Sequence, residues 1–231
     1  MGVTQPPAAR VAVVIGGGGP PAIGAGDLGD LGDDPLVIAA DSGLAHAGAL
    51  GLAVDRVVGD MDSVDPAVLD AAVATGTRID RHPEAKDATD LDLALDVALA
   101  AGPSRVVVVT GTGDRLDHAL AVALSMSAPG RASAPVEAWI GPAHLWVVRR
   151  EATLAGTPGE LLSLLPAHGR VHGVTTSGLL YPLDDEDLEV GSSRGVSNEW
   201  AADVATVRVR SGVLLAVAPG SSGTHWARSH G

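Results

Sequence analysis

The feature that most constrains this chain is a change of rhythm near residue 130. Up to that point, short β-branched runs alternate with Ala/Leu-rich segments. That alternation predicts an α/β domain built on a mostly parallel sheet. Strands are expected at Val11–Ile15, Pro35–Ala39, Val54–Val58, Thr77–Ile79 and Arg105–Thr110. Helices are expected over Gly43–Gly51, Pro66–Thr75, Thr89–Ala101 and Asp117–Ser127. In the third helix Leu91, Leu95, Ala98 and Leu99 share one face, and Thr89 with Asp92 makes a capping-box start. After the Pro/Gly/Ser stretch at 128–133 the helical period disappears. Short strands follow between Gly, Pro and Asp turns: Val136–Ile140, His144–Val148, Glu160–Leu165, Val171–Thr175, Gly178–Leu183, Thr206–Arg210 and Val213–Ala218. These predict an antiparallel sandwich or barrel, and a division into residues 1–132 and 133–231.

Composition excludes several classes of function. The formal charge is −13, with no basic cluster beyond Arg149-Arg150, so no surface suits a phosphate backbone and nucleic acid is not an expected partner. Cysteine is absent, which removes disulfides and thiolate chemistry. No apolar run reaches the ~20 residues of a membrane span, and the N-terminus lacks a charged leader followed by an apolar run. A soluble, cytoplasmic protein without a membrane partner is expected. Phe is also absent, so the core must be aliphatic. Lys86, Tyr181 and Asn198 are each the sole residue of their type.

Carboxylates gather where the strands of the first half end. Asp41, then Asp60 and Asp62, then Asp114 and Asp117 each follow an expected strand, and ligands of open α/β sheets collect at that edge. Gly59-Asp60-Met61-Asp62-Ser63-Val64-Asp65 fails as a calcium loop, because its sixth and twelfth positions from Asp60 are Asp65 and Ala71 rather than Gly and Glu. It fits the D-x-D-x-T/V pattern of haloacid-dehalogenase-type phosphatases, although the only Lys follows after 24 residues, within an acidic segment. It also fits a magnesium–nucleotide site, where a few carboxylates and substrate phosphates share the metal. Lys86-Asp87-Ala88-Thr89-Asp90 then places a cation, two acids and a capping Thr at a helix start suited to phosphate. Asp65, just before Pro66, reads as the cap of the next helix.

A Walker A loop is excluded, since Lys86 follows Ala85 rather than Gly. Gly16-Gly17-Gly18-Gly19 lacks the last glycine of a dinucleotide fingerprint, yet permits close approach of a phosphate or ribose. Gly111-Thr112-Gly113-Asp114-Arg115-Leu116-Asp117-His118 delivers an Arg suited to bidentate phosphate contact. His168 and His172 stand four apart, but Gly169 and the strand pattern rule out a helical metal pair.

Six segments, in order, resemble the thiamine pyrophosphokinase family: Ala40-Asp41-Ser42-Gly43, Gly59-Asp60-Met61-Asp62-Ser63, Lys86-Asp87-Ala88-Thr89-Asp90, Gly113-Asp114-Arg115-Leu116-Asp117-His118, Thr176-Ser177-Gly178-Leu179-Leu180-Tyr181-Pro182-Leu183 and Val196-Ser197-Asn198-Glu199. The resemblance implies a Rossmann-like α/β domain followed by a β-sandwich, and a homodimer. It implies Mg²⁺-dependent transfer of pyrophosphate from ATP to the hydroxyl of thiamine, giving thiamine diphosphate and AMP. By the same resemblance Asp60, Asp62, Asp87 and Asp90 form the catalytic acids, and Asp60, Asp62 and Asp90 hold magnesium. Asp41, Ser42, Lys86, Thr89, Arg115, Asp117 and His118 would meet ATP. Ser197, Asn198 and Trp200 would meet thiamine across the dimer interface, with Trp200 as an aromatic platform for the cationic ring. Two departures stand out: Ser42 and Asp114 each replace a usual glycine of the family pattern. A pyrophosphokinase for another hydroxymethyl heterocycle such as a pterin, the phosphatase, and a catalytically silent nucleotide-binding protein are the alternative readings.

Overall fold

The computed structural model describes residues 9–83, 87–113 and 115–220. Its strands, in chain order, are β1 (Val11–Ile15), β2 (Leu36–Ala40), β3 (Arg56–Gly59), β4 (Arg78–Arg81), β5 (Arg105–Thr110), β6 (Val136–Ile140) and β7 (Ala143–Val148). They continue with β8 (Glu151–Ala155), β9 (Leu161–Ser177), β10 (Glu186–Leu188), β11 (Asn198–Glu199), β12 (Val204–Arg208) and β13 (Ser211–Ala218). The helices are α1 (Leu44–Ala47), flanked by 3₁₀ turns, then α2 (Pro66–Ala74), α3 (Asp90–Ala100) and α4 (Leu116–Met126).

Hydrogen bonding joins these strands into one large mixed sheet in the order β4-β3-β2-β1-β5-β6-β7-β13-β9-β12-β8. Pairing is parallel from β4 to β6 and antiparallel from β6 onward. The sheet therefore runs without a break past residue 132, because β6 extends the parallel half before the chain turns back. The Val-rich strands β1 and β5 are buried on both faces, as a parallel sheet covered on two sides requires. Their residues divide by the period of two: Val14, Val106 and Val108 pack under α3, while Val13, Ile15, Val107 and Val109 pack on the opposite layer. A third aliphatic core, around Leu154, Leu162, Leu164 and Leu214, fills the antiparallel half.

Several local expectations hold to the residue. Asp65 caps α2, its carboxylate accepting from the Ala67 N–H at 2.8 Å. Thr89 and Asp92 complete the capping box of α3. Others are corrected. Glu160–Leu165 and Val171–Thr175 belong to a single 17-residue strand, β9. The turn-like Pro166-Ala167-His168-Gly169 becomes a bulge: register against β13 shifts there, and His168 and Gly169 take φ of 60° and 136°. Gly178–Leu183 forms no strand. Gly178 turns with φ 74°, and the Asn198 side chain takes the place of a ladder partner for Tyr181. β8, unheralded in the sequence, is an edge strand of mixed pattern, EATLA, paired only to β12.

Candidate active site

Strand order reverses between β1 and β5, since β2 leaves β1 on one side and β5 lies on the other. This switch point is where an open α/β sheet leaves a crevice at its strand ends. Both glycine loops meet there. Gly16 N–H donates to Val109 O at 2.8 Å, and Thr110 Oγ1 donates to Gly17 O at 2.8 Å. A Cβ on Gly111 would lie 2.6 Å from Gly18 O, so only glycine permits the contact. The crevice opens into a cleft of about 920 Å³ lined by Gly16–Gly19, Asp41, Ser42, Thr89, Asp90, Arg115 and His118, with Leu91, Leu95 and Met126 as its apolar floor.

Beside it stands a carboxylate cluster. One oxygen each from Asp41, Asp60 and Asp62 lies within 4.8 Å of the others. The segments that follow β2 and β3 create this geometry through backbone conformations that L-residues rarely adopt: Asp41, after β2, has φ 46° and Met61, after β3, has φ 69°. Asp60 Oδ1 accepts from the Asp62 N–H at 3.1 Å, which closes the turn. Gly59 is required because a Cβ would press on Asp90 Oδ1 at 3.1 Å and on Asp41 Cβ at 3.2 Å. Asp90 thus stands at the margin of the cluster, while Asp41, expected with the nucleotide, belongs inside it. Sequence reasoning passed over Ser63, whose hydroxyl reaches Asp41 Oδ2 and, at 3.0 Å, Asp62 Oδ1. Its place directly after Asp62 was the available signal.

The donor set fits a hard divalent cation. Three carboxylates converge, and Asp41 Oδ1 is buried with no hydrogen-bond partner among the described residues. A buried carboxylate oxygen left in that state is costly without a cation.

The remaining expected residues are distributed as follows. Thr89 is committed to capping: its hydroxyl and N–H face Asp92 at 2.7 and 3.3 Å. Arg115, at the cleft mouth, pairs with Asp117 at 2.6 Å; that hydrogen bond holds the Asp117 carboxyl well down, at about 2. Asp87 is exposed on the approach to α3. Lys86 and Asp114 lie outside the described residues.

Ser197, Asn198 and Trp200 sit apart, on the antiparallel half. Ser197 is exposed at φ 56°. Asn198 is buried, its Oδ1 accepting from the Tyr181 and Glu199 N–H groups and its Nδ2 donating to Tyr181 O at 2.7 Å. Trp200 is not an exposed platform: it is 2% accessible and packed in the aliphatic core. The polar residues around it in sequence concealed this, because alternation along the chain turns its ring inward against Gly156. A Cβ at 156 would fall 2.2 Å from the ring.

Fold and site together define a class: an α/β protein with glycine loops and a carboxylate cluster at the sheet's switch point, continued by an antiparallel β half. Two family models divide the chain the same way. "Thiamin pyrophosphokinase, catalytic domain" matches residues 31–136, and "Thiamin pyrophosphokinase, vitamin B1 binding domain" matches residues 148–214, together about three-quarters of the chain. The chain belongs to the thiamin pyrophosphokinase family. It is 25% identical over 192 residues to thiamine pyrophosphokinase of Bacillus subtilis, spanning 79% of this chain and 86% of that one. The crystal structure of the B. subtilis protein shares the fold, with a TM-score of 0.78 and 24% identity over 91% of this chain and 99% of the other. Thiamin pyrophosphokinase from Geobacillus thermodenitrificans gives a TM-score of 0.74 and 25% identity over 92% and 99%.

Proposed function

We propose that this protein is a thiamine pyrophosphokinase that transfers the pyrophosphoryl group of ATP to the hydroxyl of thiamine, releasing AMP. The observation that carries the reading is the Asp41–Asp60–Asp62 cluster beside the glycine-loop crevice, in a chain matched by both thiamin pyrophosphokinase models. The pterin, phosphatase and silent-binder readings gain nothing from these comparisons.

In this reading, residues 1–132 are the Rossmann-like nucleotide-binding domain and 133–231 a β-sandwich. The triphosphate lies over the Gly16–Gly19 and Gly111–Gly113 backbones, with Ser42, Lys86, Thr89, Arg115, Asp117 and His118 around it. Asp41, Asp60 and Asp62, with Asp90 and Asp87 at the margin, hold Mg²⁺. When bound, the ion neutralises phosphate charge and orients the phosphates. The thiamine oxygen forms its bond to the β-phosphorus as the bond from that phosphorus to the α-phosphate oxygen breaks. The hydroxyl proton passes to an acid of the cluster, and no protein nucleophile is needed.

Thiamine is met by the segment of Ser197, Asn198 and Trp200. Asn198 acts by holding the Tyr181 backbone in place, and Trp200 by its packed ring. Exposed apolar side chains of Leu161, Leu180, Tyr181 and Val196 surround Asn198, which supports a homodimer joined there. A cytoplasmic location accords with the absence, among described residues, of a helix long and apolar enough to cross a membrane.

The test is incubation with ATP, Mg²⁺ and thiamine, following AMP and thiamine diphosphate. Both should appear in equal amounts. AMP released with a hydroxymethylpterin but not with thiamine would overturn the substrate, and inorganic phosphate without AMP would overturn the reaction.

A further inference from the structure

Where α3 and α4 line the cleft, an ion network joins them that the proposed reaction leaves without a role. Asp92 of α3 and Ser125 of α4 belong to the cleft wall, and Arg131, in the connection from α4 to β6, reaches back to both. Asp92 and Asp96 stand one helical turn apart on the same face of α3. A planar guanidinium fork spans such a pair, whereas the point charge of a lysine does not.

Arg131 Nε donates to Asp96 Oδ1 and Nη1 to Asp92 Oδ1, both at 2.8 Å. Nη2 donates to the Asp92 carbonyl at 3.3 Å and Nη1 to the Ser125 carbonyl at 3.1 Å, while the Ser125 hydroxyl meets Asp92 Oδ1. The two oxygens of Asp92 are thus divided. Oδ1 takes Arg131 and Ser125, and Oδ2 accepts from the Thr89 hydroxyl at 2.7 Å and the Thr89 N–H at 3.3 Å. Thr89 Oγ1 accepts in turn from the Asp92 N–H at 3.1 Å, and Asp90 is the residue that opens the helix between them. One carboxylate therefore connects the guanidinium to the turn that presents Asp90. Arg131 is itself held from the β half: its N–H donates to Ala128 O at 2.9 Å, and Arg149, just after β7, donates to Ala128 O at 2.8 Å and Ser127 O at 3.0 Å.

A staple between the two helices would be complete with Asp96 and the Ser125 carbonyl alone. Arg131 also grips the carboxylate that caps α3, and its side chain is only 15% exposed, where solvent screens an ion pair little. We infer that Arg131 is a positioning residue for the active site: through Asp92 it holds the first turn of α3, and with it Asp90, against the carboxylate cluster. The inference rests on the proposed transfer reaction for what Asp90 does, and on the bonds above for how Asp90 is held. A reacting group displaced by about 1 Å costs about 100-fold in rate, so a residue remote from the phosphates acts on turnover by this route.

Two readouts on the full chain test it: steady-state AMP formation from ATP, Mg²⁺ and thiamine, and amide hydrogen exchange followed residue by residue. Arg131→Gln should lower kcat about 10- to 100-fold while KM for thiamine changes less than about threefold. It should also speed exchange of the Asp92 amide at least about tenfold and leave the β1 amides as they were. Added to Asp92→Asn, it should deepen neither effect, because both changes break the same link. Asp96→Asn, which removes only the outer ion pair, should leave kcat unchanged. Should Arg131→Gln fail to fold by circular dichroism, Arg131→Lys, which keeps the charge and loses the fork, carries the same measurements. Native kcat with faster exchange would reduce Arg131 to a staple, additive losses in the double variant would overturn the route through Asp92, and unchanged exchange would overturn the hold on α3. A native chain that forms no AMP from thiamine overturns the proposed function instead, and the exchange measurements then decide whether Arg131 holds the turn that carries Asp90.

Discussion

Asp41 is the residue whose place matters most: the family resemblance puts it with ATP, and the structure sets it both in the cleft lining and beside Asp60 and Asp62. It follows β2, not the loop that carries Asp60 and Asp62, yet its carboxylate joins theirs and keeps one oxygen buried without a partner. Asp41→Asn should lower turnover by about 10–100-fold, in line with losses on disturbing a metal site. It should also remove the rise in melting temperature expected of the unaltered protein when Mg²⁺ is added. Equal Mg²⁺-dependent stabilisation in both proteins would show that Asp41 holds no cation. A different carboxylate contributes to acid stability. Asp187 accepts from the Gly173 N–H and meets His172 and Arg170, and these hold its carboxyl at about 2, below the ordinary 3.8. Because the folded value is depressed, the stabilisation is whole above about pH 4 and is lost as pH falls from there toward 2. Denaturant unfolding measured across that window should fall more gently for Asp187→Asn than for the native chain.

At the scale of elements, α3 is both support and instrument. Its N-terminus presents Asp90 to the site, and its body buries Ala94, Leu95 and Ala98 under the sheet. Burial pushes the Asp92 carboxyl up, but hydrogen bonds from Ser125, Thr89 and Arg131 outweigh it and hold the group below its usual range. Asp92 thereby ties the cap of α3 to α4 and to the loop after it. Thr89→Ala should cost about 1 kcal/mol in denaturant unfolding through loss of the cap. It should also reduce turnover, because Asp90 is the first residue of the frayed helix. Thr89→Ser, which keeps the hydroxyl, should restore both. The capping box was legible in sequence because its partners are three residues apart; the tie to Arg131 was not, because 39 residues separate it from Asp92.

For the whole molecule, the continuous sheet makes the two halves mechanically one. β6 and β7 carry the ladder from the parallel strands into the antiparallel ones. Arg149 donates to Ser127 O and Ala128 O, and His168 meets Leu124 O, so the β half also grips the end of α4. The exposed apolar group around Asn198 is the surface that the proposed homodimer would bury. Light scattering should give twice the chain mass, and Leu180→Asp with Val196→Asp should give the monomer mass with the fold retained. A monomer in the unaltered protein would overturn the homodimer.

What sequence determined by itself was local or periodic. Alternating β-branched and Ala/Leu runs set the parallel half, the D-x-D turn and the glycine loops marked the strand ends, and Thr89 and Asp65 announced their helices. Each of these signals is carried by residues within a few positions of one another. Tertiary structure decided what depends on distant segments meeting. It brought Asp41 to Asp60 and Asp62, merged two expected strands into β9, turned Trp200 inward, and set Trp139 and Trp146 around His144. A side chain's partners across a sheet follow from register and strand order, and neither is written in the neighbours along the chain.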